Sequence, residues 1–247
     1  MLDLPSRHVK PRQSGITSIH DTFLTCDQLA SILTDYSEYI DIAKFGVGSA
    51  YCTRRLQEKI ELYKTFDVEP YFGGTLFEKF YSNDQLEDYL SYLKNNQVNT
   101  LEISCGTIDI PLEERCSIVK ELKNDFHILA EVGSKDKEYV MAPSIWIEEI
   151  NLLIDAGATY AITEGRDSGT AGLYRESGEL REGLFQDIRA YCPIDKVIFE
   201  APTDQSQMYF INKIGPNVNL GNVNPTFVLL LETQRVGLRS ETFMVGR

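Results

Sequence analysis

Eight short runs of apolar and β-branched residues alternate with longer segments of helical period along this 247-residue chain, and that alternation constrains the fold more than any other feature. The runs are Ile16–Asp21, Tyr39–Phe45, Val68–Gly73, Thr100–Ser104, His127–Val132, Tyr160–Glu164, Lys196–Glu200 and Val218–Asn222. Between them, helical spacing covers Asp27–Tyr36, Arg54–Lys64, Leu86–Leu93, Leu112–Lys123, Ile145–Asp155, Leu184–Tyr191, Gln207–Ile214 and Thr226–Val236. The punctuation predicts a capping box at Ser82 with Gln85, first-turn prolines at Pro111 and Pro225, and a helix C-cap at Gly157. A strand followed by a helix eight times, with no linker-like shift of composition, predicts an α/β fold. The expected architecture is a single closed (β/α)₈ TIM-type barrel over residues 1–247, with a short N-terminal extension at 1–14. An open doubly wound sheet fits less well, because Gly46-Val47-Gly48 lacks the third glycine of a dinucleotide fingerprint.

Composition narrows the function. Hydrophobic residues at 43% and charged residues at 25% exclude a disordered or low-complexity chain. The formal net charge of −13 argues against nucleic acid or an anionic membrane as partner, so an anionic ligand would need positive charge gathered at one site. Residues 1–7 carry no signal-peptide core and no stretch reaches the length of a membrane span, which leads us to expect a cytoplasmic protein. Five cysteines without a CxxC pair, and only three histidines, speak against a disulfide framework or a structural zinc site.

In a barrel of this kind the active site lies where the strands end, so the polar residues closing each run are the informative ones. They include Asp21, Asp41, Lys44, Gly73-Gly74-Thr75, Glu102, Ser104, Glu131, Lys135, Glu164, Arg166, Glu200, Asn219 and Asn222. Side chains two apart on a strand share a face. Glu102, Glu131, Glu164 and Glu200 on four successive strands would crowd like charges in one mouth, a costly arrangement unless a divalent cation or basic side chains neutralise them. Lys44, Lys135 and Arg166 are the candidate counter-charges, and the oxygen-only donor set points to Mg²⁺ rather than zinc. Any one of these carboxylates is as readily an exposed charge or a structural ion pair; their recurrence strand after strand favours function. Gly73 and Gly74 would let backbone amides approach an anion or simply form a tight turn. Asn219, Gly221 and Asn222 fall after the eighth run, where barrels often hold phosphate, with a turn motif as the plain alternative. Cys105 is given no catalytic role, since no histidine stands nearby in sequence to activate it.

Taken in order, these stretches resemble the phosphosulfolactate synthase family. The resemblance runs through Lys10-Pro11-Arg12, Asp41-Ile42-Ala43-Lys44-Phe45-Gly46 and Gly73-Gly74-Thr75-Leu76-Phe77-Glu78. It continues with Glu102-Ile103-Ser104, Glu131-Val132-Gly133 with Lys135, Arg166 with Ser168-Gly169, Phe199-Glu200-Ala201-Pro202, and Gly215 to Asn222, and ends at Leu231-Glu232-Thr233 and Gly237-Leu238-Arg239.

The resemblance implies a carbon–sulfur lyase that adds sulfite to C3 of phosphoenolpyruvate with Mg²⁺ as cofactor, giving (2R)-phospho-3-sulfolactate, a step toward coenzyme M or sulfolactate. On the matching positions it implies Lys135 as the acid that protonates C2, and Glu102, Glu131, Glu164 and Glu200 as the residues that hold the metal or orient that lysine, Glu102 and Glu200 being the expected metal ligands and Glu131 and Glu164 the expected catalytic partners, an order the sequence alone does not fix. Arg12, Lys44, Arg166, Gly73, Gly74, Asn219, Gly221 and Asn222 would face the substrate anions. The chain departs from the family pattern at Val47, Cys105, Gly165, Asp167 and Asp204; an aspartate at 204, where lysine is usual, would place negative charge near the mouth. Two rival readings follow: a member that adds another nucleophile to phosphoenolpyruvate, and a non-catalytic binding protein on the same barrel. A homo-oligomer is compatible with the family precedent.

Overall fold

The computed structural model describes residues 2–134, 140–166 and 168–246. Its strands are β1 (Thr17–Asp21), β2 (Ile42–Phe45), β3 (Glu69–Phe72), β4 (Thr100–Ile103), β5 (His127–Val132), β6 (Tyr160–Thr163), β7 (Val197–Glu200) and β8 (Leu220–Val223). All pair in parallel in sequence order, and β8 returns to β1 to close the barrel. The helices between them are α1 (Cys26–Tyr36), α2 (Ser49–Cys52), α3 (Leu56–Thr65), α4 (Gly74–Tyr81), α5 (Leu86–Asn95), α6 (Leu112–Leu122), α7 (Pro143–Ala156), α8 (Glu182–Tyr191), α9 (Asp204–Ile214) and α10 (Val228–Arg235). The expected (β/α)₈ barrel is the fold observed.

Two hydrophobic layers hold it. The larger lies between strands and helices, where outward residues such as Ile19, Phe45, Phe72 and Phe199 meet the apolar stripes of the helices. The smaller fills the barrel itself with Ile16, Tyr71, Leu129, Ile162 and Ile198. Strand alternation then dictates what stands above that plug: two residues further along β5 and β7 are Glu131 and Glu200, so the floor of the mouth is greasy and its wall acidic.

One local expectation fails. Ser82 does not cap α5; it ends α4, and its hydroxyl donates to the Lys79 carbonyl at 3.0 Å, while Gln85 stands at the N-cap of α5 and its side chain donates to Asp88 at 3.2 Å and caps no backbone amide. The segment after Gly73, to which the helical spacing assigns nothing, is helix α4, since Leu76 and Phe77 bury themselves against the core. Gly157 does end α7, with a φ of 124° that only glycine adopts readily.

At the N-terminal end of the strands, Arg235 is fully buried and donates to the carbonyls of Pro216, Val218 and Ile16 at 2.8, 2.7 and 3.2 Å. Burial without a carboxylate in direct contact pushes its pKa down to about 9. Arg7 joins the same end by pairing with Glu232 at 3.0 Å and donating to Asn217 at 2.7 Å, which ties the N-terminal extension to α10 and the segment before β8.

Candidate active site

The C-terminal ends of the strands surround a cavity of about 390 Å³ whose lining includes Lys44, Glu102, Glu131, Glu164, Arg166 and Glu200. The four glutamates expected from the strand ends therefore do converge. At their centre is Lys44: its Nζ lies 2.8 Å from Glu102 Oε2, 3.4 Å from Glu200 Oε1 and 3.5 Å from Glu131 Oε2. Burial alone would depress this ammonium, but Glu102, Glu200 and Glu131 outweigh it and hold its pKa well above the ordinary lysine value. Burial, opposed by Lys44 and reinforced by Glu131 and Glu200, pushes Glu102 up to about 7.

Backbone amides share the load. Gly74 N at the start of α4 donates to Glu102 Oε1 at 2.6 Å, and Gly165 N donates to Glu200 Oε2 at 2.8 Å. Arg166 N donates to Glu164 Oε1 at 2.7 Å, which fixes the left-handed turn (φ 57°) that brings Arg166 to the cavity. Behind β4, Glu78 accepts from the Ser104 hydroxyl, from Gly106 N at 3.1 Å and from Thr107 N at 2.8 Å, so α4 and the loop after β4 are bound by two reciprocal carboxylate contacts. Sequence reasoning reaches Glu78 only as part of a motif; its place on a helix that also presents Leu76 and Phe77 to the core is the signal that marks it as buried.

Several expected substrate contacts have other duties. Arg12 stands at the opposite, N-terminal end of the barrel, pairing with Asp41 at 3.0 Å and donating to the Glu38 carbonyl at 2.8 Å, because Asp41 precedes β2 rather than following it. Asn219 also precedes its strand: it accepts from Ile16 N at 3.0 Å and donates to the carbonyls of Asp195 and Val197 at 2.9 and 3.2 Å, stitching the barrel's closing seam. Gly221 serves packing, since a Cβ there would come 3.0 Å from Ile198. Gly73 gives room to Lys44, whose Cε would lie 3.2 Å from a Cβ, and Gly74 does the same for Glu102 and Ser104. The anion that meets the Gly74 amide is thus the protein's own carboxylate. Asn222 does line the cavity, at φ 53°, and its buried Oδ1 makes no hydrogen bond among the described residues.

Asp21 turns outward from the barrel, where Lys59 and the Tyr63 hydroxyl hold it at 2.6 and 2.8 Å. Asp204 does not line the cavity; it stands at the first turn of α9, paired with Arg239 at 3.1 Å. Partial burial pushes the Cys105 thiol up to about 11, which suits a half-buried packing side chain and not a nucleophile. Lys135 and Asp167 lie outside the described residues.

In donor chemistry the mouth fits a hard cation: four carboxylates face one cavity, and the described basic groups there are Lys44, His20 and Arg166. Among the described residues no three His, Cys, Asp or Glu side chains are placed to ligate one ion together. The Lys44 ammonium occupies the centre they would share. That leaves the mode usual for Mg²⁺, one or two carboxylates completed by water and substrate oxygens.

A closed parallel barrel with buried carboxylates, a lysine and an arginine around a cavity at its strand ends belongs to the class of TIM-barrel enzymes that act on small molecules. The sequence profile of (2R)-phospho-3-sulfolactate synthase (ComA) matches residues 5–241, and the chain belongs to that family. It is 41% identical over 244 residues to a phosphosulfolactate synthase of Methanothermobacter thermautotrophicus, covering 96% of this chain and 95% of the relative. To a phosphosulfolactate synthase of Bacillus subtilis it is 39% identical over 247 residues, covering 99% and 98%. Among solved structures, a 3-hexulose-6-phosphate synthase superposes with a TM-score of 0.57 at 13% identity, over 89% of this chain and 98% of that one, a likeness of fold alone.

Proposed function

We propose that this protein is a carbon–sulfur lyase of the phosphosulfolactate synthase type, joining sulfite to phosphoenolpyruvate. The observation that carries the reading is the buried Lys44–Glu102–Glu131–Glu200 cluster in the wall of the mouth, in a chain about 40% identical to enzymes of that name over its whole length. In the reaction the sulfite lone pair forms a bond to C3, the C2–C3 π pair moves toward C2 and the carboxylate, and a proton adds to C2. A Mg²⁺ held by Glu131 and Glu200 would stabilise the negative charge that gathers on the substrate carboxylate. Glu102 is reassigned from metal ligand to partner of Lys44, because Gly74 N and Lys44 Nζ take its two oxygens at the shortest distances in the cluster.

Lys44 is a poor proton donor, since three carboxylates stabilise its charged form. The proton for C2 is therefore assigned to Lys135, one residue beyond Ser134, and Glu164, expected to orient that lysine, also shapes the loop that presents Arg166. Arg166 and Asn222 meet the substrate's anionic oxygens. A cytoplasmic location suits the free cysteines Cys26, Cys52, Cys105, Cys116 and Cys192, and no described helix is long and apolar enough to cross a membrane.

The test is an incubation with phosphoenolpyruvate and Mg²⁺, with sulfite or with a thiol, read by mass spectrometry. The proposal expects a phosphosulfolactate product with sulfite that disappears under a chelator. A product with a thiol alone would make this a member using another nucleophile, and no product with either would make it a binding protein.

A further inference from the structure

We propose that His20 is a further substrate-contacting residue of this mouth, its imidazole donating a hydrogen bond to an anionic oxygen of the bound substrate. The inference rests on the proposed reading for the identity of that anion, a carboxylate or phosphoryl group of phosphoenolpyruvate. The cavity has two unlike walls. Glu102, Glu131, Glu164 and Glu200 come from β4 to β7 and its edge, and they repel an anion. The other wall is built by β8, β1 and β2, where His20 pairs in register with Lys44 and β1 pairs on its other side with β8, the strand of Asn222.

Lys44 has little positive field to spare, because three carboxylates surround it. Beside Arg166, an entering anion meets donors on the side away from the acidic wall, where His20 and Asn222 join Lys44 as the nitrogen-bearing groups that line the cavity. The position of the imidazole is set by its neighbour: a Cβ on Gly46 would overlap the ring, so the backbone at the end of β2 leaves the space that His20 fills. Gly46 has no positive φ, which means its lack of a side chain is used for this contact and not for backbone freedom.

Four variants test the proposal: His20→Ala, His20→Gln, Gly46→Ala and the double His20→Ala/Gly46→Ala. Steady-state kinetics give KM and kcat, and the quench of the single tryptophan, Trp146, gives the dissociation constant for phosphoenolpyruvate. That indole abuts Gly133 behind the mouth and is fully buried. Loss of one charge-assisted hydrogen bond raises both KM and the dissociation constant about tenfold or more in His20→Ala, with kcat nearly unchanged. Glutamine at 20 recovers part of the loss. Gly46→Ala displaces the ring and reproduces the loss without touching His20 itself, and the double variant is no worse than His20→Ala alone. Unchanged binding in His20→Ala, or full additivity in the double variant, overturns the proposal. Because binding is read without turnover, a protein that makes no product with sulfite would refute the reaction while the titration still decides whether His20 holds the anion.

Discussion

Replacing Lys44 with methionine asks whether the cluster is held by its central charge. The parent Nζ has carboxylate oxygens at 2.8, 3.4 and 3.5 Å, all from buried residues. Methionine keeps most of the volume and removes the charge, which leaves three glutamates repelling one another out of water. Breaking a buried ion pair from one side costs about 3–5 kcal/mol. The pH dependence has a definite sign. Burial already raises Glu102 to about 7, against an ordinary value near 4.5, and loss of Lys44 raises it further. A carboxyl raised on folding binds more protons in the folded than in the unfolded chain, so its stabilising contribution is full below the unfolded pKa and is lost as pH rises through the folded one. The deficit of Lys44→Met is therefore largest at pH 8 and shrinks to roughly half or less at pH 5. Urea unfolding followed by circular dichroism, in the presence of a chelator, measures it at both pH values. A deficit below about 1 kcal/mol at pH 8, or an equal deficit at both, would refute the reasoning.

Arg12→Ala should leave KM for phosphoenolpyruvate within about twofold while lowering stability by about 1–3 kcal/mol, because its guanidinium serves Asp41 at the far end of the barrel. A tenfold rise in KM at unchanged stability would return it to the substrate. Gly74→Ala should cost about 1–3 kcal/mol in urea unfolding and depress kcat, since its Cβ would collide with the Ser104 hydroxyl and Glu102; parent-like activity counts against the packing argument. Cys105 should alkylate far more slowly at pH 8 than exposed Cys52, speeding up only as pH approaches 11, and Cys105→Ala should keep activity within about threefold. Peptide mapping after timed iodoacetamide treatment reads the order.

Period and punctuation make the barrel legible, because each strand is short, apolar and followed by an amphipathic helix. The acidic mouth is legible too: the residue closing a parallel strand faces the site whenever it continues the inward alternation, as Glu102, Glu131 and Glu200 do after Thr100, Leu129 and Ile198. What sequence does not separate is the beginning of a run from its end when both are polar. Arg12 with Asp41, and Asn219, occupy strand beginnings although their polarity suggests site residues; the boundary error is three residues at β2 and two at β8. The glycines mislead for another reason. Gly74 does bring its backbone amide to an anion, but sequence does not say that the anion is Glu102, 28 residues away, while the Gly73 amide donates to the Phe45 carbonyl. Helix α4 escapes the periodicity because two glycines stand at its start, and Asp21 escapes notice as an outward ion pair because its partners, Lys59 and Tyr63, lie on α3.

The convergence of acidic strand ends on one hard cation is tested most directly by titrating the protein with Mn²⁺, a paramagnetic stand-in for Mg²⁺, in the presence of phosphoenolpyruvate and reading free metal by electron paramagnetic resonance. The account predicts one tight Mn²⁺ per chain in the parent, with binding weakened by about tenfold or more in both Glu131→Gln and Glu200→Gln. No tight site in the parent, or a site indifferent to both substitutions, would contradict it.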